Sequence, residues 1–195
     1  MSKSYIGLDI SGYVKITDSD TGEIIFTGCN DIHNQNMARV IARGLAHEDA
    51  SYIHSIRLGN GGTHILPNLT YQFLPPNVVS VNANLYNTTY TEIIDDVNSG
   101  NGSGNSVISS PAPLPSISSF VTNTIELSAI EPAGQPAAEG INLDPEASFV
   151  FDELGLFSSD GLLLTHIIFS PREKTAASSF IIEYTLTIQV DSEPL

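Results

Sequence analysis

Cysteine and long apolar runs are scarce in this chain of 195 residues. Its single cysteine, Cys29, excludes an intramolecular disulfide and any cysteine cluster that could hold zinc. No apolar run approaches the roughly 18 residues of a membrane span, and the stretch MSKSYIGLDIS lacks the apolar core of a signal peptide. We therefore expect a protein that is made and kept in a cytoplasm and has no membrane partner.

Positive charge is also scarce. Seven Lys and Arg residues stand against 22 Asp and Glu residues, which gives a formal net charge of −15. Proteins that bind nucleic acid need a basic surface, and so do proteins that bind anionic membranes. The balance therefore argues against both partners, and it favours an external surface that does not adhere to DNA.

Charged residues of either sign make up only 15% of the chain, against about 25% in a typical globular protein. Ser, Thr, Asn and Gly take their place, which favours β-structure with long loops. Residues 178–190 (SSFIIEYTLTIQV) alternate strictly, and this is the period of a half-buried antiparallel strand. Two further runs, SFVFDELGLF and LLLTHIIF, flank Asp160-Gly161, which predicts a tight hairpin turn with positive φ at both residues.

The N-terminal region predicts three short strands and one helix. The segments YIGLDI, YVKIT and EIIFTG have strand character, and SDTG at 19–22 forms a turn before the last of them. In NMARVIARGLAHED the residues Met37, Val40, Ile41, Gly44 and Leu45 share one helical face. Asn34 or Asn36 is the expected N-cap.

These patterns predict one mainly β domain over residues 1–195. We expect an antiparallel β-sandwich, with a jelly roll as one possible form, built from about nine or ten strands, one α-helix and long loops. Segments 97–119 and 130–147 are too long and too polar for a compact core, so we interpret them as an extended arm and a second long loop that become ordered in an assembly. The interaction residues that we expect there are Asn101, Ser103, Pro111, Pro113, Pro115, Pro132 and Pro136.

Asp152, Glu153 and His166 are the residues that most resemble an active site. Strand alternation places the two acids on opposite faces unless a bulge intervenes, and a catalytic carboxylate pair must face one substrate. We therefore expect Asp152 and Glu153 not to act as a pair. His166, a lone histidine in a strand, is expected to be a structural or surface residue.

The other motifs also favour structural explanations. The five histidines form no short metal-binding pair, although a site assembled from distant histidines stays open. GNGGT at 59–63 lacks the lysine of a phosphate loop and predicts backbone with positive φ. Asp95 and Asp96 with the asparagines that follow could bind Ca²⁺, but a solvated loop is the preferred interpretation. Cys29 with His33 could imitate a catalytic pair, but a buried free cysteine is preferred. We expect no catalytic residue, metal or cofactor, and no enzyme.

Several segments resemble virion proteins of tailed bacteriophages. FDELGLFSSDGLLLTHIIFSP with FIIEYTLTIQV is similar to a module in which a strand of the type EIGLF, a D-G turn, a strand ending in F-x-P and a strand of the type xxYTLxI follow one another. The segment that begins VKITDSDTGEIIFTGCNDIHNQNM resembles structural proteins reading approximately VKIxDxxTGEVLxxxxNAIHxxNM. LGNGGT and LPPNVVSVNANLYNTTY resemble further blocks of the same kind.

The resemblance implies a non-enzymatic structural protein of the virion, assembled in the host cytoplasm. It favours a tail-associated component, in the neck, collar, baseplate or fibre adaptor, that binds repeated copies of a neighbouring virion protein and forms a homo-oligomer. The first alternative is a decoration, or cement, protein at the capsomer junctions of the head. The second is a carbohydrate- or receptor-binding module that uses Tyr71, Tyr86 and Tyr90, although the chain lacks tryptophan.

Overall fold

The computed structural model describes residues 6–18, 20–49, 52–93, 106–109, 120–131, 148–175 and 180–192. These residues form eleven strands and one helix. Their bounds are β1 Ile6–Asp18, β2 Ile24–Ile32, α1 Asn34–Leu45, β3 Ile53–Gly59, β4 Thr63–Ile65, β5 Tyr71–Phe73, β6 Thr88–Ile93, β7 Ser106–Ser109, β8 Phe120–Glu131, β9 Ser148–Ser158, β10 Leu163–Thr175 and β11 Phe180–Ser192. Among them α1 is far too short to cross a membrane, and no candidate span occurs.

Nine strands form one antiparallel sheet in the order β6-β3-β9-β10-β2-β1-β11-β8-β7, and β4 pairs with β5 separately. Strand β2 joins two halves of this sheet, β6-β3-β9-β10 and β1-β11-β8-β7. Residues Gly12–Thr17 of β1 pair along β2, whereas only Thr165 and His166 of β10 pair with its end. The halves then face each other. The rings of Phe151 and Phe180, which belong to strands well separated in the sheet, lie 5.9 Å apart. The predicted antiparallel β-sandwich with one helix is confirmed.

Alternating residues from both halves fill the space between them. The predicted alternation of β11 is confirmed, since Ile182, Tyr184 and Leu186 are buried and Glu183 is exposed. The buried core also contains Val14, Ile16, Ile56, Leu58, Phe151, Leu154, Leu156, Leu164, Ile167, Phe169 and Phe180. The two strands predicted for residues 5–17 are one continuous strand, β1, which pairs with β11 along its full length.

The hairpin at Asp160-Gly161 forms as predicted, but its turn is of another type. Gly161 N donates to Ser158 O at 2.9 Å and Ser158 N donates to Leu162 O at 3.0 Å. Only Gly161, with φ 83°, is left-handed. This pattern belongs to the three-residue loop in which a turn is followed by one left-handed residue, so the prediction of positive φ at Asp160 was wrong.

The predicted helix is present, with different ends. It runs from Asn34 to Leu45, and its N-cap is His33, whose Nδ1 accepts from Asn36 N at 3.2 Å, rather than either asparagine. Met37 and Val40 are buried as expected, but Leu45 is 86% exposed and does not belong to the buried face. Leu45 is the last residue of the helix, and Ala46 is its C-cap.

Several predictions fall on residues that the structure does not describe. Of the arm at 97–119, only Ser106–Ser109 is described, as β7, and of the loop at 130–147 only the last two residues of β8 are described. Outside the described residues lie the proposed calcium ligands Asp95 and Asp96 and all the predicted interaction residues, Asn101, Ser103, Pro111, Pro113, Pro115, Pro132 and Pro136.

A hydrogen bond between the two halves of the sandwich offers a test of the fold. The buried Tyr184 hydroxyl donates to Thr165 Oγ1 at 2.6 Å, and burial raises the pKa of Tyr184, which keeps this donor protonated. Tyr184→Phe should lower the free energy of unfolding by about 1–2 kcal/mol, measured by urea unfolding. The control Tyr13→Phe alters a half-exposed ring and should change stability by less than about 0.5 kcal/mol. Equal effects of the two changes would contradict the assignment.

Candidate functional site

Strand β9 is buried along residues 151–158, without the alternation of a half-exposed strand. One face points into the sandwich through Leu154 and Leu156. The other face is covered by the long segment between β5 and β6, whose Ala83 and Leu85 form a second apolar cluster with Phe157 and Leu163. The acids of this strand therefore lie in the interior and are not an outward-facing decoration.

An irregularity beside Asp152 changes which faces the two acids occupy. Phe151 pairs with Arg172 and Glu153 pairs with Ile168, so three residues of β10 stand opposite Asp152 alone. Such a bulge breaks the strict alternation of side chains. Both carboxylates reach consecutive residues of one loop, because Asp152 binds Gly62 and Glu153 binds Gly61. The prediction that they point in opposite directions was wrong, because a bulge intervenes.

Glu153 is fully buried and collects four hydrogen bonds. Its Oε1 accepts from Gly61 N at 3.1 Å and from Asn87 N at 2.8 Å, and its Oε2 accepts from Tyr86 N at 2.9 Å and lies 3.0 Å from His166 Nε2. Burial alone would raise the pKa of Glu153. The four donors outweigh burial and hold the pKa below its usual value of 4.5, so the group is a buried carboxylate.

His166, also fully buried, is fixed in one tautomer by its two partners. Asn77 N donates to His166 Nδ1 at 2.8 Å, so Nδ1 carries no proton. The proton is therefore on Nε2, which donates to Glu153. His166 thus links the carboxylate to a third piece of chain at Asn77, and its predicted structural role agrees with these contacts.

Like Glu153, Asp152 accepts hydrogen bonds from backbone N–H groups, in this case those of the next residues of the loop. Its Oδ1 accepts from Gly62 N at 2.9 Å, and its Oδ2 accepts from Thr63 N at 2.8 Å and from the Thr63 hydroxyl. We refer to Asp152, Glu153 and His166 together as the carboxylate clasp. Its three side chains bind backbone N–H groups at 61–63, 77 and 86–87.

The glycines of GNGGT are needed for space and not for positive φ. None of Gly59, Gly61 and Gly62 is left-handed. A Cβ on Gly59 would lie 2.5 Å from both the Asn87 carbonyl oxygen and Glu153 Oε1, and one on Gly62 would lie 2.9 Å from Ile168 Cγ2. The loop resembles a phosphate loop in offering consecutive N–H groups to an anion, but the anions are carboxylates of its own chain.

A second set of buried polar residues fastens the middle of the same covering segment. His33 Nε2 donates to Ser80 O at 2.7 Å, while Asn36 Nδ2 donates to Leu163 O at 2.9 Å and to Val81 O at 3.4 Å. The start of α1 is thereby joined to both the covering segment and β10. His33 is occupied by these contacts, and Cys29 is exposed on β2, so the expectation of a buried Cys29 was wrong.

The remaining candidates are dispersed. Within the described ranges, no three His, Cys, Asp or Glu side chains come together as a metal site. Of the three tyrosines considered for carbohydrate binding, Tyr90 is buried, so it is not available, whereas Tyr71 and Tyr86 are half-exposed. No protein-family model, curated protein or solved structure matches this chain.

The clasp predicts a large effect of neutralising Glu153. Glu153→Gln replaces an acceptor with an amide whose NH₂ faces N–H donors, so at least one buried group loses its partner. We expect the free energy of unfolding to fall by about 2–4 kcal/mol, measured by urea unfolding with tyrosine fluorescence. Glu183→Gln is the matched control, because Glu183 forms a half-exposed pair with Lys15 and should lose no more than about 1 kcal/mol. Similar losses for both would contradict the clasp.

The lowered pKa of Glu153 also predicts a pH dependence. The pKa is lower in the folded protein than in the unfolded chain, so this carboxylate stabilises the fold fully above its unfolded pKa, near 4.5. Its contribution is lost as the pH falls through the folded pKa. The difference in unfolding free energy between the wild-type protein and Glu153→Gln should therefore be constant above about pH 5 and shrink below it. Unfolding curves at a series of pH values measure this, and a difference that persists unchanged in acid would refute it.

Proposed function

We propose that the chain is a non-enzymatic structural component of a tailed-phage particle, located in the tail (neck, collar, baseplate or fibre adaptor), where it binds repeated copies of a neighbouring virion protein. Head decoration at capsomer junctions is the second candidate. Both follow from the resemblance of four separate blocks of sequence to virion proteins, and both are consistent with an antiparallel β-sandwich.

The observation that supports this proposal best is that the four blocks meet in space. The FDELGLF block supplies Glu153, which binds Gly61 of the LGNGGT block and Tyr86 of the LPPNVVSVNANLYNTTY block. The N-terminal block joins through His33, which binds Ser80. Four short likenesses scattered along a chain would be weak support. Four likenesses that build one hydrogen-bonded unit indicate a likeness of architecture.

The state of the polar groups supports an architectural role as well. The strongest candidates for catalysis, Asp152, Glu153 and His166, are buried and accept from or donate to their own chain. Their hydrogen bonds fasten residues 61–63 and the covering segment 74–87 onto β9 and β10. A net charge of −15 further favours a position on the outside of a particle, away from packaged DNA, and this holds for a tail and for a head surface alike.

Locating the chain on purified particles of the phage that encodes it tests the proposal. We expect cryo-EM density of this β-sandwich in a ring or spoke below the portal or at the distal end of the tail. Density on the shell at capsomer junctions would favour head decoration. A particle that lacks the chain, checked by mass spectrometry of the same sample, would overturn both assignments.

A further inference from the structure

The hairpin of β4 and β5 presents its apolar face to solvent. In its register Ile65 lies opposite Tyr71, and Thr63 lies opposite Phe73, so these four side chains share one face. Ile65 is 69% exposed, Tyr71 46% and Phe73 49%. In the part of the chain that the structure describes, no third strand joins this pair. The hairpin is held to the sandwich through Thr63, which binds Asp152, but an apolar sheet face normally packs on something.

The tip of this hairpin carries an unfavourable residue. Leu66 N donates to Thr70 O and Leu69 N donates to Leu66 O, which is the bonding pattern of the Gly161 hairpin. The left-handed position that Gly161 fills there is filled here by Leu69, with φ 64°. A branched apolar side chain in this conformation costs free energy, and Leu69 is 83% exposed. Among the residues that the structure describes, burial of the Leu69 side chain does not compensate for that cost.

The hairpin also lies in an uncharged part of an acidic chain. Residues 58–91 contain no Lys, Arg, Asp or Glu, although the whole chain has a net charge of −15. Two copies of such a chain repel each other over most of their surfaces. They meet with the least repulsion where both are neutral, and this segment is both neutral and apolar.

We propose that the β4–β5 hairpin is a docking surface for a second copy of this chain, with the two hairpins packed apolar face to apolar face about a two-fold axis. Such a contact is isologous, so one patch serves both partners and no complementary groove is required. The proposal of this dimer contact rests on residues 58–91 and does not depend on the proposed function. A single hairpin is smaller than the roughly 800 Å² per partner of a standard interface, so the contact is weak in solution and strengthens when copies are held together.

Sedimentation velocity of the full chain at about 1–200 μM tests this surface. The wild-type protein should dimerise within that range. Leu69→Asn should weaken dimerisation about tenfold or more, while its melting temperature stays equal or rises, because asparagine tolerates the left-handed conformation. Leu45→Asn is the matched control, since Leu45 is equally exposed on α1, outside the hairpin, and it should leave dimerisation unchanged.

The salt dependence distinguishes this contact between two acidic copies from the docking of a basic partner protein. Raising NaCl from about 0.05 M to about 0.5 M screens the repulsion between the acidic copies and should strengthen the dimer. A chain that stays monomeric at every concentration and salt level would overturn the proposal and leave a different protein as the occupant. Equal weakening by Leu69→Asn and Leu45→Asn would also overturn it, because dimerisation would then not involve the hairpin.

Discussion

The buried carboxylate of Glu153 is the interaction on which much of this structure depends. Removing a carboxylate from water costs several kcal/mol even after the protein relaxes, and the cost is offset only when enough donors converge on the group. Here the donors come from three separate pieces of chain, at Gly61, at Tyr86-Asn87 and at His166. None of these pieces can move away without leaving the charge unsatisfied. The carboxylate therefore determines the path of the long segment that covers β9 and β10.

The features that could be predicted from the sequence are those that depend on local periodicity. Ile182, Tyr184 and Leu186 alternate in the sequence and are buried together in the structure. Met37 and Val40 recur at helical spacing and lie on the buried face of α1. In each case the side chain direction follows from backbone geometry within a few residues, and burial of one face follows from it. Strand and helix content, the sandwich and the hairpin at Gly161 all belong to this class.

The features that could not be predicted arise from contacts between distant residues. One irregular pairing beside Asp152 allows both acids to reach the same loop, and nothing within β9 signals it. The glycines at 59–62 were interpreted through backbone conformation, whereas the closeness of Asn87 and Glu153 explains them. Two signals were nevertheless present in the sequence. Two acids interrupt the run FVFDELGLF of β9, which is otherwise without a polar side chain, and residues 58–91 contain no charge of their own with which to pair them.

The pairing of β1 with β11 has a consequence for how the protein is made. Residues 6–18 pair along their full length with residues 180–192, although more than 160 residues separate the two strands in sequence. During synthesis β1 can form its hairpin with β2 early, but its other edge has no partner until residues 180–192 have left the ribosome. An open edge on a long strand is a template for pairing with other chains, and distant pairings form slowly because the loop between them must first close. Nascent copies that are translated close together are thus most vulnerable to aggregation in the interval before β11 emerges.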